Sequence, residues 1–325
     1  MSWPRRRPVR VRLVVAVENA EAVAAQGQSG GNPGRIADLD DRIRRVRAPA
    51  RQTRRAAIRI VGCAGPVCGR PRRLLEAWAT RLARRLEPLG SAALPGVVWY
   101  LTDDEAHNDD GKHIAYLDPS HRLARHLRPL APDLYDRLAE MVGNGDRSVA
   151  ALERNGVLPP GTRTYAERLS YASLPPGAST ARRQLRGQWL SHALDSTLGC
   201  DLVFMDPDNG LRPANHPVPK TRTKAVKHAY IDELAPFVQR GQSLVAYHHA
   251  DRSAPVPKQA EHRLADLASG IAASPLAAVR ASRGTTRLFL VVSTDAHRQR
   301  LCDRLAALER SPWASELQVY WYVDR

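Results

Sequence analysis

The sequence predicts an α/β fold in which a mostly parallel sheet is flanked by helices and ends in a C-terminal antiparallel hairpin. Three observations predict it. Residues 202–205 form a short, continuous apolar run that stops at Asp206-Pro207-Asp208-Asn209-Gly210, as expected of a strand covered on both faces and ending at an open rim. From residue 97 onward, strand-like and helix-like segments alternate. Near the end, strand-like segments at 277–281 and 288–292 flank Arg283-Gly284-Thr285 at the spacing of a hairpin.

Before residue 75 only 57–62 reads as a strand, and the rest mixes Arg, Ala, Gly and Pro without sustained periodicity. Leu74, Leu75, Trp78, Leu82 and Leu86 recur at helical spacing, and Pro88 and Gly90 end that helix. The first strand of the body is expected at 97–101. Helices follow at 134–142 and 148–155, the second stopped by Gly156. A strand is read at 164–171, and a long helix at 180–198 with Leu185, Trp189, His192 and Ala193 on one face. After the strand at 202–205 comes a polar, proline-bearing loop through Lys224. A helix at 230–238 leads to a buried strand at 243–247, which ends on His248 and His249. A helix at 261–272 precedes the hairpin, and a helix at 297–308 and a strand at 317–323 complete the chain. These readings divide the chain into a basic, irregular extension, 1–75, and a single α/β domain, 76–325.

Composition narrows the function. With 325 residues and 43% hydrophobic content, the chain is large enough for a substantial core. Its formal charge is +16, from 49 basic and 33 acidic residues; residues 1–90 hold 20 of the former and 7 of the latter, leaving 29 and 26 beyond. The basic character belongs to an arm rather than to the body. Such an Arg-rich arm binds polyanions, nucleic acid above all, without sequence preference, although high-GC coding or an over-extended reading frame enriches Arg equally well. Cys63, Cys68, Cys200 and Cys302 are too few and too scattered for a disulfide framework, so reduced thiols in a cytoplasmic protein are expected. The apolar stretch at 13–17 is too short for an export signal and is followed by Glu18 and Glu21. No apolar run approaches the length of a membrane span.

Three polar clusters follow three of the expected strands. They are His107-Asn108-Asp109-Asp110-Gly111-Lys112-His113, Asp206 to Gly210, and His248-His249-Ala250-Asp251-Arg252. If the three strands run parallel, their carboxyl ends share one rim, where ligands bind in open α/β sheets. Asn-Asp-Asp-Gly and Asn-Gly are also ordinary turn material. Lys220, Arg222, Lys224 and Lys227 form a charge run that is a solvated face or, opposite the carboxylates, a phosphate holder.

Two chemistries suit such a rim. In the first, Asp206 and the Pro207 carbonyl accept hydrogen bonds from an amino group and orient its lone pair toward a sulfonium methyl group. In the second, a divalent metal held by His107, His113, Asp206, Asp208 and His249 activates water against a phosphoester, as in a nuclease or phosphoesterase. A third reading, without catalysis, is a nucleic-acid-binding protein that uses the Arg-rich arm.

The segment from about residue 97 to the end resembles an uncharacterised bacterial family. The resemblance is carried by Trp99-Tyr100-Leu101, by Asp104-Glu105-Ala106-His107-Asn108-Asp109-Asp110-Gly111-Lys112-His113, by Asp201 to Gly210 and by Tyr247-His248-His249. More remotely, the order of elements is similar to that of Rossmann-type, S-adenosylmethionine-dependent methyltransferases that modify amino groups of bases. Their D-P-P-Y loop follows the fourth strand, and Asp206 and Pro207 match its first two positions. Asp208 stands for the second proline and Asn209 for the aromatic, and no glycine-rich loop follows the first strand beyond Gly111.

The resemblance implies a Rossmann-like sheet and a catalytic set of Asp206, Pro207, Asp208, Asn209 and His249. It implies contacts to S-adenosylmethionine from Asp103, Asp104, His107, Asn108, Gly111, Lys112 and His113, and to substrate from Lys227 and Arg252.

Overall fold

The computed structural model describes residues 94–103, 114–146, 148–212, 218–271, 273–283 and 285–323. The expected strand at 57–62, the expected helix at 74–86, Asp104 to His113 and Gly284 lie outside these. The described residues all fall in one unit, Pro66–Arg325.

Four strands run parallel: β1 (Pro95–Trp99), β2 (Arg163–Tyr165), β3 (Leu202–Asp206) and β6 (Ser243–His249). Two short strands, β4 (Gly210–Leu211) and β5 (His228–Ala229), pair with each other apart from the main sheet. The hairpin β7 (Pro275–Arg283) and β8 (Thr285–Val292) places β8 antiparallel between β6 and β7, and β9 (Leu317–Trp321) pairs antiparallel on the outer side of β7. Across the seven-stranded sheet the order is β2-β1-β3-β6-β8-β7-β9. This is the α/β fold the sequence predicts, including its antiparallel C-terminal strands.

The sheet is buried on both faces because its strands are apolar at consecutive positions, not at alternate ones. One face presents Val97, Trp99, Phe204, Val245, Tyr247 and Phe289. It packs against α2 (Pro132–Gly143), α3 (Val149–Arg154) and α7 (Asp295–Glu309), through residues such as Leu134, Leu138, Leu152, Leu301 and Leu305. A four-residue helix, α1 (Ala124–Leu127), precedes them on the same side. The other face presents Val98, Val203, Met205, Leu244, Ala246 and Leu290. It is covered by α4 (Ser179–Ser196), α5 (Ile231–Gln239) and α6 (Val256–Gly270), through Trp189, Phe237, Leu264 and Leu267. Two interior layers of fully buried aromatics and aliphatics, each worth roughly 1.5–3 kcal/mol of transfer per large side chain, hold the three layers together.

Local signals set the helix ends. The Ser148 hydroxyl accepts a hydrogen bond from the N–H of Ala151 at 3.0 Å and starts α3. Gly156, at φ +60°, closes it.

Several expectations are corrected. The first strand begins and ends two residues earlier than expected. The strand expected at 164–171 is only Arg163–Tyr165, followed by one parallel bridge between Leu101 and Arg168, because Glu167 and Arg168 are surface residues with no apolar face to bury. His192 does not join the apolar stripe of α4. Its side chain is 57% exposed and lies 3.3 Å from Glu167 Oε2, while Arg186 occupies the buried position instead.

Candidate functional site at the carboxyl rim

The chain leaves β1 to form β2 on one side of it and returns through α4 to form β3 on the other. The strand order therefore reverses between β1 and β3, and the crevice outside their carboxyl ends is the usual ligand position in open α/β sheets. Trp99 at the end of β1 is in register with Asp206 at the end of β3, and their side chains share a face of the sheet. Asp206 is only 7% exposed. Tyr247 and His249 on β6 belong to that same face by their alternation with Val245. The structure thus places Asp206, Pro207, Asp208, Asn209 and His249 at the carboxyl ends of β3 and β6, which pair side by side.

Asp103, four residues beyond the last β1 pair, is held by the segment that follows β2. It accepts a hydrogen bond from the Ser170 hydroxyl, and Arg168 Nη1 lies 3.5 Å from its carboxylate. The remaining expected cofactor contacts, Asp104, His107, Asn108, Gly111, Lys112 and His113, lie outside the described residues.

The Asp206–Gly210 loop is fixed mainly from behind. The N–H of Asn209 donates to the Lys227 carbonyl at 2.7 Å, and that of Arg212 to Ala229 at 2.8 Å. Between these, β4 pairs with β5. Lys227 Nζ sits 3.2 Å from Asp208 Oδ2, with side-chain exposures of 13% and 8%. Lys227, expected to contact substrate, is thus the counter-ion that steadies the loop. Gly210, at φ +94°, has no substitute here. A methyl group on its Cα would lie 2.5 Å from His248 Cα and 2.7 Å from His248 Nδ1.

His248 and His249 point to opposite faces, as neighbours on a strand must. His248 is buried beneath Gly210. Burial, followed by the charge of Arg263, pushes its pKa down to about 3. Burial, followed by the charge of Arg212, likewise pushes His228 down to about 4. Both are below the 6.5 of a free imidazole, so the unfolded chain binds more protons than the folded chain between those values. This part of the stability is complete above about pH 6.5, is lost progressively as the pH falls below that, and is gone by about pH 4 for His228 and about pH 3 for His248. Urea midpoints are expected to fall on acidification over that window, and His248→Asn is expected to flatten the fall. A midpoint that stays constant from neutral pH to about pH 4 contradicts the burial of these rings.

Arg252 is exposed on the turn after β6. Its neighbour Asp251 is occupied in that turn, accepting from the N–H and hydroxyl of Ser253, while the backbone of Asp251 exchanges hydrogen bonds with the Gln259 amide. The third cluster therefore contributes His249 to the rim and uses Asp251 to shape the connection to α6.

The sequence reading missed the group that braces this rim. Arg186, 3% exposed, grips Glu233 in two parallel bonds of 2.6 and 2.9 Å. Its other hydrogens reach the carbonyls of Ala225 at 2.9 Å and His228 at 2.6 Å. The Tyr230 ring lies 4.9 Å from the guanidinium. The signal was present in the spacing: Arg186, Trp189 and Ala193 recur as one buried stripe of α4, so a charged residue sat at a core position. Sequence could not supply its partner.

Among the described residues, no group of three His, Cys, Asp or Glu side chains is placed to hold a metal ion. No helix among them is long and apolar enough to cross a membrane. Compared with protein-family models and with curated proteins, the chain matches none.

Proposed function

We propose that this chain is a methyltransferase-like enzyme acting on an amino group of a nucleic acid or nucleotide, with S-adenosylmethionine as methyl donor. The observation that carries this reading is the reversal of strand order between β1 and β3, with Asp206-Pro207 at the carboxyl end of β3. An exocyclic amino group has two hydrogens. The Asp206 carboxylate and the Pro207 carbonyl supply two acceptors on consecutive residues, a chemistry suited to such a group. A rigid pair of acceptors fixes the nitrogen lone pair, and that orientation is where an enzyme gains most in a simple displacement.

S-adenosylmethionine, when bound, supplies an electrophilic methyl group. Asp206 holds the amine and takes the proton that the nitrogen loses once the new N–C bond has formed. Its burial between Trp99 and Tyr247 keeps bulk water away from the reacting nitrogen. Asp208, through Lys227, and Asn209, through its N–H, keep Asp206-Pro207 in place. The carboxylate of Asp103 suits a cationic or hydroxyl-bearing ligand. Free Cys200 and Cys302 accord with a reducing, cytoplasmic setting. A metal-dependent nuclease has less support, since Asp208, one of its ligands, faces Lys227. The test is transfer of a labelled methyl group to single-stranded nucleic acid by the native chain and by Asp206→Ala.

A further inference from the structure

The segment that braces the Asp206–Gly210 loop, residues 218–228, carries four cations and no acid: Lys220, Arg222, Lys224 and Lys227. The structure divides them into two pairs. Lys220 is drawn onto Asp232 and lies 3.3 Å from Glu233, and Lys227 faces Asp208. Arg222 and Lys224 are exposed, and neither side chain has a partner among the described residues.

The main chain beneath them is held unusually firmly for an irregular segment. Tyr230 OH donates to Val218 O at 2.9 Å, Tyr171 OH to Lys220 O at 2.8 Å and Arg182 Nη1 to Thr221 O at 2.8 Å. Arg186 holds the carbonyls of Ala225 and His228. Five carbonyls are therefore turned toward the protein by side chains from α4, from the 171 region and from Tyr230 itself. Anchoring of this kind reduces the ordering entropy that a surface loop loses when it binds. Among the described residues, the outer surface is left with Arg222 and Lys224 as two cations without a partner on a pre-set frame.

We propose that Arg222 and Lys224 form a phosphate-binding surface for an unpaired nucleic-acid strand whose base enters the Asp206 crevice. The proposal rests on the methyltransferase reading for what happens to the base. Two features select this partner. The first is the pairing of these exposed cations with a loop that directly braces Asp206-Pro207 through Asn209 and Lys227. The second is the depth of Asp206: at 7% exposure, its carboxylate is out of reach of a base still stacked in a duplex. A single strand, or a nucleotide extruded from a duplex, meets both conditions.

The experiment measures binding of a labelled single-stranded oligonucleotide to the full chain across a salt series by fluorescence anisotropy. Each phosphate contact contributes roughly 0.7 to the slope of log affinity against log salt for single strands. The double variant Arg222→Ala, Lys224→Ala is expected to make that slope shallower by about 1.4. The control variant Arg298→Ala, Arg300→Ala removes the same charge from exposed positions on α7 and is expected to leave it unchanged. Equal slopes for both variants overturn the proposal, whatever the Arg-rich arm contributes, since the arm is present in every sample. Titration of the same double variant with S-adenosylmethionine separates the two ideas. Wild-type cofactor binding with an unmoved slope removes the surface alone. A shifted slope without cofactor binding in any variant removes the methyltransferase reading and leaves the surface.

Discussion

Arg186→Met is expected to destabilise the folded chain by about 3 kcal/mol, the lower end of what removal of one partner from a buried ion pair costs. The guanidinium makes four hydrogen bonds from a position that is 3% exposed. Removing it leaves Glu233 buried and two backbone carbonyls without their donor. The loss is not at the upper end, since Lys220 Nζ lies 3.3 Å from Glu233 Oε1 and the N–H of Tyr230 donates to Oε2 at 3.2 Å. Urea unfolding, followed by tryptophan fluorescence, reports the change. Arg186→Met combined with Glu233→Met is expected to recover most of the loss, since a buried pair replaced whole by apolar groups is often neutral. A single variant that loses less than about 1 kcal/mol would mean that the pair is solvated.

Asp206→Ala is expected to lower methyl transfer by about a hundredfold to a thousandfold, within the range for loss of one positioned acid-base group. On the proposed reading, loss of the carboxylate would leave the Pro207 carbonyl alone to orient the amine. Cofactor affinity should then change by less than about threefold, because that reading assigns Asp206 to the amine rather than to the donor. A purely structural role predicts a different pattern, in which rate, cofactor affinity and urea midpoint fall together. Asp206→Asn, which keeps the shape and one acceptor, is expected to recover stability in full and rate only in part.

Much of the sheet was legible because its signal is local. Residues 202–205 and 244–247 are apolar at every position, as a doubly covered strand requires, and both runs end on polar residues. Adjacent parallel placement of β1, β3 and β6 then followed from alternation with helices. What was not legible depends on contacts distant in sequence. The two-residue strands β4 and β5 have no periodicity to read, yet they fold the Asp206–Gly210 loop against His248. Lys227 looked like a phosphate ligand in a charge run and is instead the counter-ion of Asp208, nineteen residues earlier in the chain. The histidine pair was read as one cluster, although strand alternation alone sends His248 inward beneath Gly210 and leaves His249 on the face of Asp206.

These corrections sharpen the account of the rim. Among its described charged residues, Arg186, Glu233, Lys227 and Asp208 hold the loop, and Asp206 ends β3 at the strand reversal. The first set is buried in pairs, so mutation should read out as stability. Mutation of Asp206 should read out as ligand affinity or rate.

The central claim is that the crevice between β1 and β3 accepts S-adenosylmethionine, and calorimetric titration of the full chain with that compound tests it most directly. The account predicts saturable binding at one site per chain, weakened by Asp103→Asn and little changed by Asp206→Ala. A titration without heat of binding, in a preparation whose urea unfolding shows it to be folded, would contradict it.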